Sequence, residues 1–214
     1  IMGVSGCGKT SLLNAIAGFI KINSGKILLK NKNIEGPGPD RAVVFQDDAV
    51  FPWMTVEENI SYSHRVTNKY DKEAKISVDK YIQLVGLEDF KKAWPKQLSG
   101  GMRKRVDLAR GFAAEPEVLL MDEPFGALDI MTKEKLQEEL HNLWVNNPRT
   151  IIFITHDVEE AVFLGNRVIL LTPRPGKIDL VVEPNLENNR NMSIKSDAIF
   201  FENVKKIRSR LKEH

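Results

Sequence analysis

The sequence predicts an α/β fold, a mostly parallel sheet with a helical subdomain inserted into it, and three observations carry that reading. Short apolar runs alternate with helical segments: Arg41-Ala42-Val43-Val44-Phe45, Val118-Leu119-Leu120-Met121, Thr150-Ile151-Ile152-Phe153-Ile154 and Arg167-Val168-Ile169-Leu170-Leu171. Runs that are apolar at successive positions are buried on both faces, as parallel strands covered by helices are. The chain also opens on an apolar strand end, a glycine-rich loop and a helix, in that order. Finally, the texture changes between Glu57 and Arg110 to polar, lysine-rich, helical sequence with apolar positions such as Ile82, Leu84, Val85 and Leu87. The expected organisation is one domain over residues 1–214. Its α/β core occupies 1–56 and 111–184, the helical subdomain 57–110, and a tail ending in a helix 185–214.

Each element has its own local reason. The first helix sets Leu12, Leu13, Ile16 and Ile20 on one face. Gly25 to Lys30 reads as a short strand, and Gly36-Pro37-Gly38-Pro39-Asp40 as a loop, because proline removes a backbone donor and fixes φ. Arg41 to Phe45 is then a buried strand ending on Gln46, and Pro173-Arg174-Pro175-Gly176 is a turn after the last apolar run. From Ser196 to His214, Ile199, Phe200, Val204, Ile207 and Leu211 recur at helical spacing, with basic residues toward the C-terminal half. That segment is expected to dock as an amphipathic helix.

Composition narrows the function. The 31 Lys and Arg against 29 Asp and Glu leave a net charge of +2, which demands neither nucleic acid nor an anionic membrane surface as partner. A single cysteine, Cys7, excludes an internal disulfide framework and suits a reducing compartment. No uncharged apolar run approaches the roughly 18 to 20 residues that cross a bilayer. The chain begins at Ile1 inside a strand, so further strands are expected upstream.

The opening loop has the pattern G-x-x-x-x-G-K-[ST]: Gly3-Val4-Ser5-Gly6-Cys7-Gly8-Lys9-Thr10, followed by Ser11. Glycines let backbone N–H groups wrap phosphate oxygens, and the helix behind them points its positive end at the same place. Lys9 adds a cation for the β- and γ-phosphates, and the Thr10 hydroxyl is a Mg²⁺ ligand. Ligands of open parallel sheets sit outside the carboxyl ends of the strands. Gln46 follows one apolar run, Asp122 and Glu123 the next, Thr155 and His156 a third. Cradle, amide, carboxylates and imidazole are the parts of a Mg-nucleotide hydrolase. In that reading Asp122 holds the metal and Glu123 polarises the attacking water. His156 contacts the γ-phosphate or aligns the water, and Gln46 binds metal or water.

A second glycine element, Leu98-Ser99-Gly100-Gly101-Met102, opens another helix. Ser99 is a good N-cap and the glycines expose N–H groups, yet no strand precedes it and no Lys-Thr pair follows. An incomplete anion site on a different subdomain makes sense if it completes the nucleotide pocket of a second chain.

Taken together, these residues resemble the nucleotide-binding subunit of an ABC transporter. The match comprises the Walker A loop Gly3 to Thr10, the Q-loop residue Gln46, the signature Leu98 to Met102, the Walker B strand Val118 to Glu123, the D-loop Ala127-Leu128-Asp129 and the switch histidine His156. The resemblance implies a P-loop NTPase (RecA-like) core with the ABC α-helical subdomain, ATP and Mg²⁺ as cofactors, and a homodimer of two copies. Each ATP would lie between the Walker A residues (Gly3, Ser5, Gly6, Cys7, Gly8, Lys9, Thr10, Ser11) of one copy and Ser99, Gly100 and Gly101 of the other. Thr10, Gln46 and Asp122 would serve the metal; Glu123, His156 and Gln46 would serve catalysis. Val44 to Val56, Met102, Met121 to Asp129 and Arg174 to Ile178 are similar to importer ATPases of the nitrate, sulfonate and taurine group, with pyrimidine-precursor importers also similar.

By the same resemblance, the Asp47–Trp53 region meets integral-membrane permease subunits, and a solute-binding protein acts indirectly. The subunit would lie on the cytoplasmic face of the prokaryotic inner membrane, peripherally and with no nucleic-acid partner. An ABC-type ATPase acting on DNA or ribosomes is the alternative, but no coiled coil separates the Walker A loop from the signature. Phe51 and Trp53 suit either a permease contact or the core. Relatives carry an upstream aromatic that stacks on adenine, outside this sequence, and Lys104 stands where they often have glutamine, a change expected to be tolerated.

Overall fold

A computed structural model of the chain describes residues 1–47, 49–126 and 128–213. Asp48 of the expected permease region, Ala127 of the D-loop and His214 lie outside the described residues. In chain order the elements are β1 (Met2–Gly3), α1 (Lys9–Ala17), β2 (Leu28–Leu29), β3 (Lys32–Asn33), β4 (Arg41–Val44), α2 (Val56–Ile60), α3 (Tyr62–Val66), α4 (Lys72–Leu84), α5 (Gly100–Ala113), β5 (Val118–Asp122), α6 (Ile130–Asn146), β6 (Thr150–Ile154), α7 (Val158–Leu164), β7 (Val168–Leu171), β8 (Ile178–Val182) and α8 (Ala198–Leu211). The chain divides into two compact units, Ile1–Gly38 with Gln137–His214, and Pro39–Leu136.

In the first unit β1 lies parallel to β7, with Met2 opposite Leu170 and Gly3 opposite Leu171. The Thr155 N–H donates to the Ile1 carbonyl at 3.3 Å, so the end of β6 also lies beside the start of the chain. β8 pairs antiparallel with β7, a strand that the sequence reading did not anticipate. Behind the strands, Met2, Val162, Phe163, Val168 and Leu170 form one apolar cluster with Phe200, Val204 and Ile207 of α8. The expected docked helix is therefore present. Ile199, placed on its apolar stripe from the sequence, is 56% exposed instead, because the buried face follows positions 200, 204 and 207.

Helix α1 stops earlier than the apolar spacing suggested. Gly18 takes φ 84°, and a Cβ there would come within 2.3 Å of the Gly36 carbonyl oxygen. The left-handed turn and the close approach both require glycine, so Ile20 falls outside the helix. Gly25 to Lys30 contributes only β2, which forms a hairpin with β3 across Lys30 and Asn31 at φ 48° and 64°.

In the second unit β4 and β5 are parallel, with Val44 opposite Met121. β5 is buried at every position. β4 is half-buried and ends at Val44; Phe45, read from the sequence as its last buried residue, is 40% exposed. Residues 57–110 contain only helices and turns. Helix α5 packs against α2, α3, α4 and β4 through a face that includes Val106, Leu108, Ala109 and Phe112, all buried.

Candidate active site

The Walker A residues form a turn whose rim is open. Ser5, Gly6, Gly8, Thr10 and Ser11 are exposed, while Cys7 turns its side chain inward. Gly8 precedes α1 at φ 102°. A glycine is needed for that conformation, and with no side chain it cannot cap the helix itself. The N-terminal end of α1 thus points its backbone N–H groups and positive dipole at the loop, an arrangement that favours an anion. Lys9 folds back over the loop: its Nζ donates to the Gly3 carbonyl at 2.8 Å and the Val4 carbonyl at 3.1 Å, and lies 3.9 Å from Cys7 Sγ.

The parallel register of β1 and β7 sends two connections out of the sheet at the same end. One is the phosphate loop, and the other is the turn before β8. Arg174, in that turn, donates through Nε to the Gly6 carbonyl at 3.0 Å. Nothing local in the sequence marks Arg174 as a neighbour of this loop.

His156 follows β6 in the same unit and is exposed. The residues around it are fixed by a polar network. Thr155 Oγ1 accepts from the Asp157 N–H at 3.0 Å and donates to Glu160, and Glu160 accepts from Gln137 Nε2 at 3.2 Å. Asp157 caps α7, accepting from the Glu159 N–H at 2.9 Å.

In the second unit, the register of β4 and β5 brings Gln46 and Glu123 together. Each stands two residues beyond the Val44–Met121 pair, and Gln46 Nε2 donates to Glu123 Oε2 at 3.4 Å. Asp122 closes β5 with 5% exposure. Glu123 then adopts φ 45°, a left-handed conformation that costs a non-glycine residue about 1 kcal/mol or more and that clusters at functional sites. The turn leads Glu123 out of the buried strand while Asp122 stays in it. Asp129 caps the start of α6; the Thr132 N–H donates to it at 3.0 Å and holds its carboxyl below the usual carboxylate range.

The signature sits at the start of α5. Ser99 accepts from the Met102 N–H at 3.2 Å, as an N-cap does. Gly100 and Gly101 are the first helical residues.

Residues 51–55, ahead of α2, are organised by Asn59, fully buried, whose role has no local signature in the sequence. Its amide donates to the carbonyls of Phe51, Met54 and Thr55 at 3.1, 3.0 and 3.0 Å and accepts from the Phe51 N–H at 2.7 Å. Phe51 packs against Trp53 at 5.5 Å and Tyr62 at 4.7 Å between ring centroids, whereas Trp53 is 67% exposed. The two aromatics thus divide, one inside the cluster and one on its surface. Lys104, expected to be tolerated in place of glutamine, is buried at 1% exposure and reaches the main chain at Phe45 and Gln46.

The first unit thus carries a glycine loop of the P-loop pattern before α1, and the second a carboxylate pair at the end of a buried parallel strand. The ABC transporter family profile matches residues 1–126. The taurine import ATP-binding protein TauB of Rhizobium johnstonii is 44% identical over 213 residues, 97% of this chain and 81% of the relative. The aliphatic sulfonates import ATP-binding protein SsuB of Bacillus anthracis is 42% identical over 196 residues, 92% of this chain and 77% of the relative. Among solved structures, the dimeric post-hydrolysis state of the ATP-binding cassette MJ0796 bound to ADP and Pi aligns with a TM-score of 0.73 at 29% identity, covering 85% of this chain and 83% of that one. The chain belongs to the ABC transporter family and is an ABC ATPase.

Proposed function

We propose that the chain binds and hydrolyses ATP to energise an importer for a small anionic solute of the taurine or sulfonate type. The observation that carries the catalytic part is the contact between Gln46 and Glu123 at the ends of neighbouring parallel strands. A carboxylate aimed by an amide is suited to polarising a water, and a left-handed backbone at Glu123 is a conformation retained for use. In this reading Glu123 takes the water's proton, Gln46 orients carboxylate and water, and His156 meets the γ-phosphate. Gly3, Ser5, Gly6, Cys7, Gly8, Lys9, Thr10 and Ser11 hold the phosphates of ATP through main chain, ammonium and hydroxyl.

Each donor that the resemblance assigns to Mg²⁺, the Thr10 hydroxyl, the Asp122 carboxylate and the Gln46 amide, is a hard oxygen of the kind Mg²⁺ takes in small number while keeping waters and phosphate oxygens. The ion, when bound, would neutralise charge on the phosphates. For the domain organisation we retain a single ABC ATPase domain over 1–214, its helical subdomain at 57–110 and its tail at 185–214.

Two copies would form the nucleotide sandwich, Ser99, Gly100 and Gly101 of each facing the other's ATP. Permease subunits would dock at the Asp47–Trp53 region, where Trp53 is exposed, with a solute-binding protein acting through them, and the assembly would hold the ATPase at the cytoplasmic face of the inner membrane. Among the described residues no helix is long and apolar enough to cross a membrane. The names of the relatives support the solute class. The test is ATP turnover by the subunit reconstituted with its permease and binding protein. Taurine or an alkanesulfonate should stimulate it several-fold. Stimulation by a pyrimidine precursor and by no sulfonate would overturn the solute assignment.

A further inference from the structure

Lys104 lies just inside helix α5, beyond the signature, with 1% of its surface exposed. An ammonium can be buried only where acceptors surround it, and lysine brings three donors and no acceptor. Its Nζ donates to the carbonyls of Phe45 and of Gln46, the latter at 3.0 Å, and stands 3.8 Å from Asp107 Oδ2. Asp107 is one turn further along the same face of the helix. Its other oxygen accepts from Arg110 at 2.6 Å. Arg110 in turn donates to the Ala49 carbonyl at 2.8 Å and lies 4.7 Å over the Phe51 ring. One face of α5 therefore grips the segment after β4 at two places, residues 45–46 and residues 49–51. The first grip is on the main chain of the residue whose side chain meets Glu123.

We propose that Lys104 is a positioning residue for hydrolysis. It fixes the Phe45–Gln46 main chain so that the Gln46 amide stays against Glu123, and it makes that aim depend on α5, the helix that Ser99, Gly100 and Gly101 begin. A shift of the signature helix is then transmitted to the water-polarising pair of the same chain through a buried, hydrogen-bonded ammonium. The inference rests on the catalytic reading of Gln46 and Glu123.

The experiment measures steady-state ATP turnover and thermal unfolding of the full-length protein carrying Lys104→Met, Lys104→Gln, Asp107→Asn or Gln46→Ala. Methionine keeps the length and removes every donor, while glutamine keeps donors. Lys104→Met should lower kcat about tenfold with the KM for ATP within about twofold, since misplacing a catalytic group acts on the chemical step. Lys104→Gln should recover most of the loss. Asp107→Asn, which loosens the ammonium without emptying its site, should lower kcat about threefold at unchanged KM, and it decides the matter if Lys104→Met does not fold. Unchanged kcat in Lys104→Met, or in Asp107→Asn, would overturn the proposal. So would an equal loss of kcat in the methionine and glutamine variants, which marks packing alone. Gln46→Ala separates the two claims: if it leaves turnover intact, the reading of Gln46 itself fails, whereas a loss there beside normal lysine variants removes only the role of Lys104.

Discussion

Among the described residues, α1 begins behind Gly8 and α5 begins with Gly100 and Gly101, and these two glycine-marked helix starts are built on opposite terms. At the phosphate loop, Gly8 sits at φ 102°, where open space surrounds the place of a Cβ; the backbone conformation alone demands glycine. At the signature, Gly100 and Gly101 are helical, and a Cβ on either would meet its nearest neighbour at an ordinary 3.7 Å. Among the described residues nothing requires glycine there, and glycine inside a helix costs up to about 1 kcal/mol relative to alanine. The capping differs too. Ser99 closes its own helix start, while Gly8 leaves the start of α1 for something else to close. The first start is shaped by this chain's own backbone, and the second is the surface proposed above to face a second copy.

Four substitutions would sharpen or break that contrast, in order of effect. Glu123→Gln should remove turnover by about 10²- to 10⁴-fold, the range of a general base, while ATP binding persists and the dimer accumulates; phosphate release and light scattering report this. Hydrolysis near the unaltered rate would end the assignment of Glu123 and with it the meaning of the sandwich. Lys9→Ala should weaken ATP binding about 10- to 100-fold, the worth of a charge-assisted contact, as read by calorimetry. Equal affinity would show that the first turn is no cradle.

Gly8→Ala should destabilise the chain by about 1 to 2 kcal/mol through its left-handed φ, measured by denaturant unfolding. Gly101→Ala should leave stability unchanged or raise it by about 0.5 to 1 kcal/mol, and yet lower turnover of the dimer several-fold. If Gly101→Ala instead unfolds the chain, the second turn is shaped from within after all.

What the sequence made legible was local. The phosphate loop, the β5 run ending in Asp122 and Glu123, and the Ser99 cap each lie within a few consecutive residues, where spacing alone states the physics. The meeting of Gln46 with Glu123 was legible only as two strand ends; the register that joins them came from β4 pairing beside β5. Lys104, Asn59 and Arg174 were not legible as partners of anything. Each acts through main-chain carbonyls, and a carbonyl has no signature in sequence. Strand β8 escaped because its run, Ile178 to Val182, mixes apolar residues with an aspartate and needs β7 beside it to be a strand. Phe45 and Ile199 were misplaced by one position, where an apolar residue at an element's edge fits the pattern without being buried.

The Arg174 contact spans 168 residues of sequence to reach the Gly6 carbonyl. A turn distant in sequence thus braces the wall of the phosphate loop, and nucleotide affinity is expected to depend on both. Trimming or tagging between Thr172 and Lys177 would be felt as weaker ATP binding, in a protein whose Walker sequences are all untouched. For this chain, an intact motif is no guarantee of an intact site.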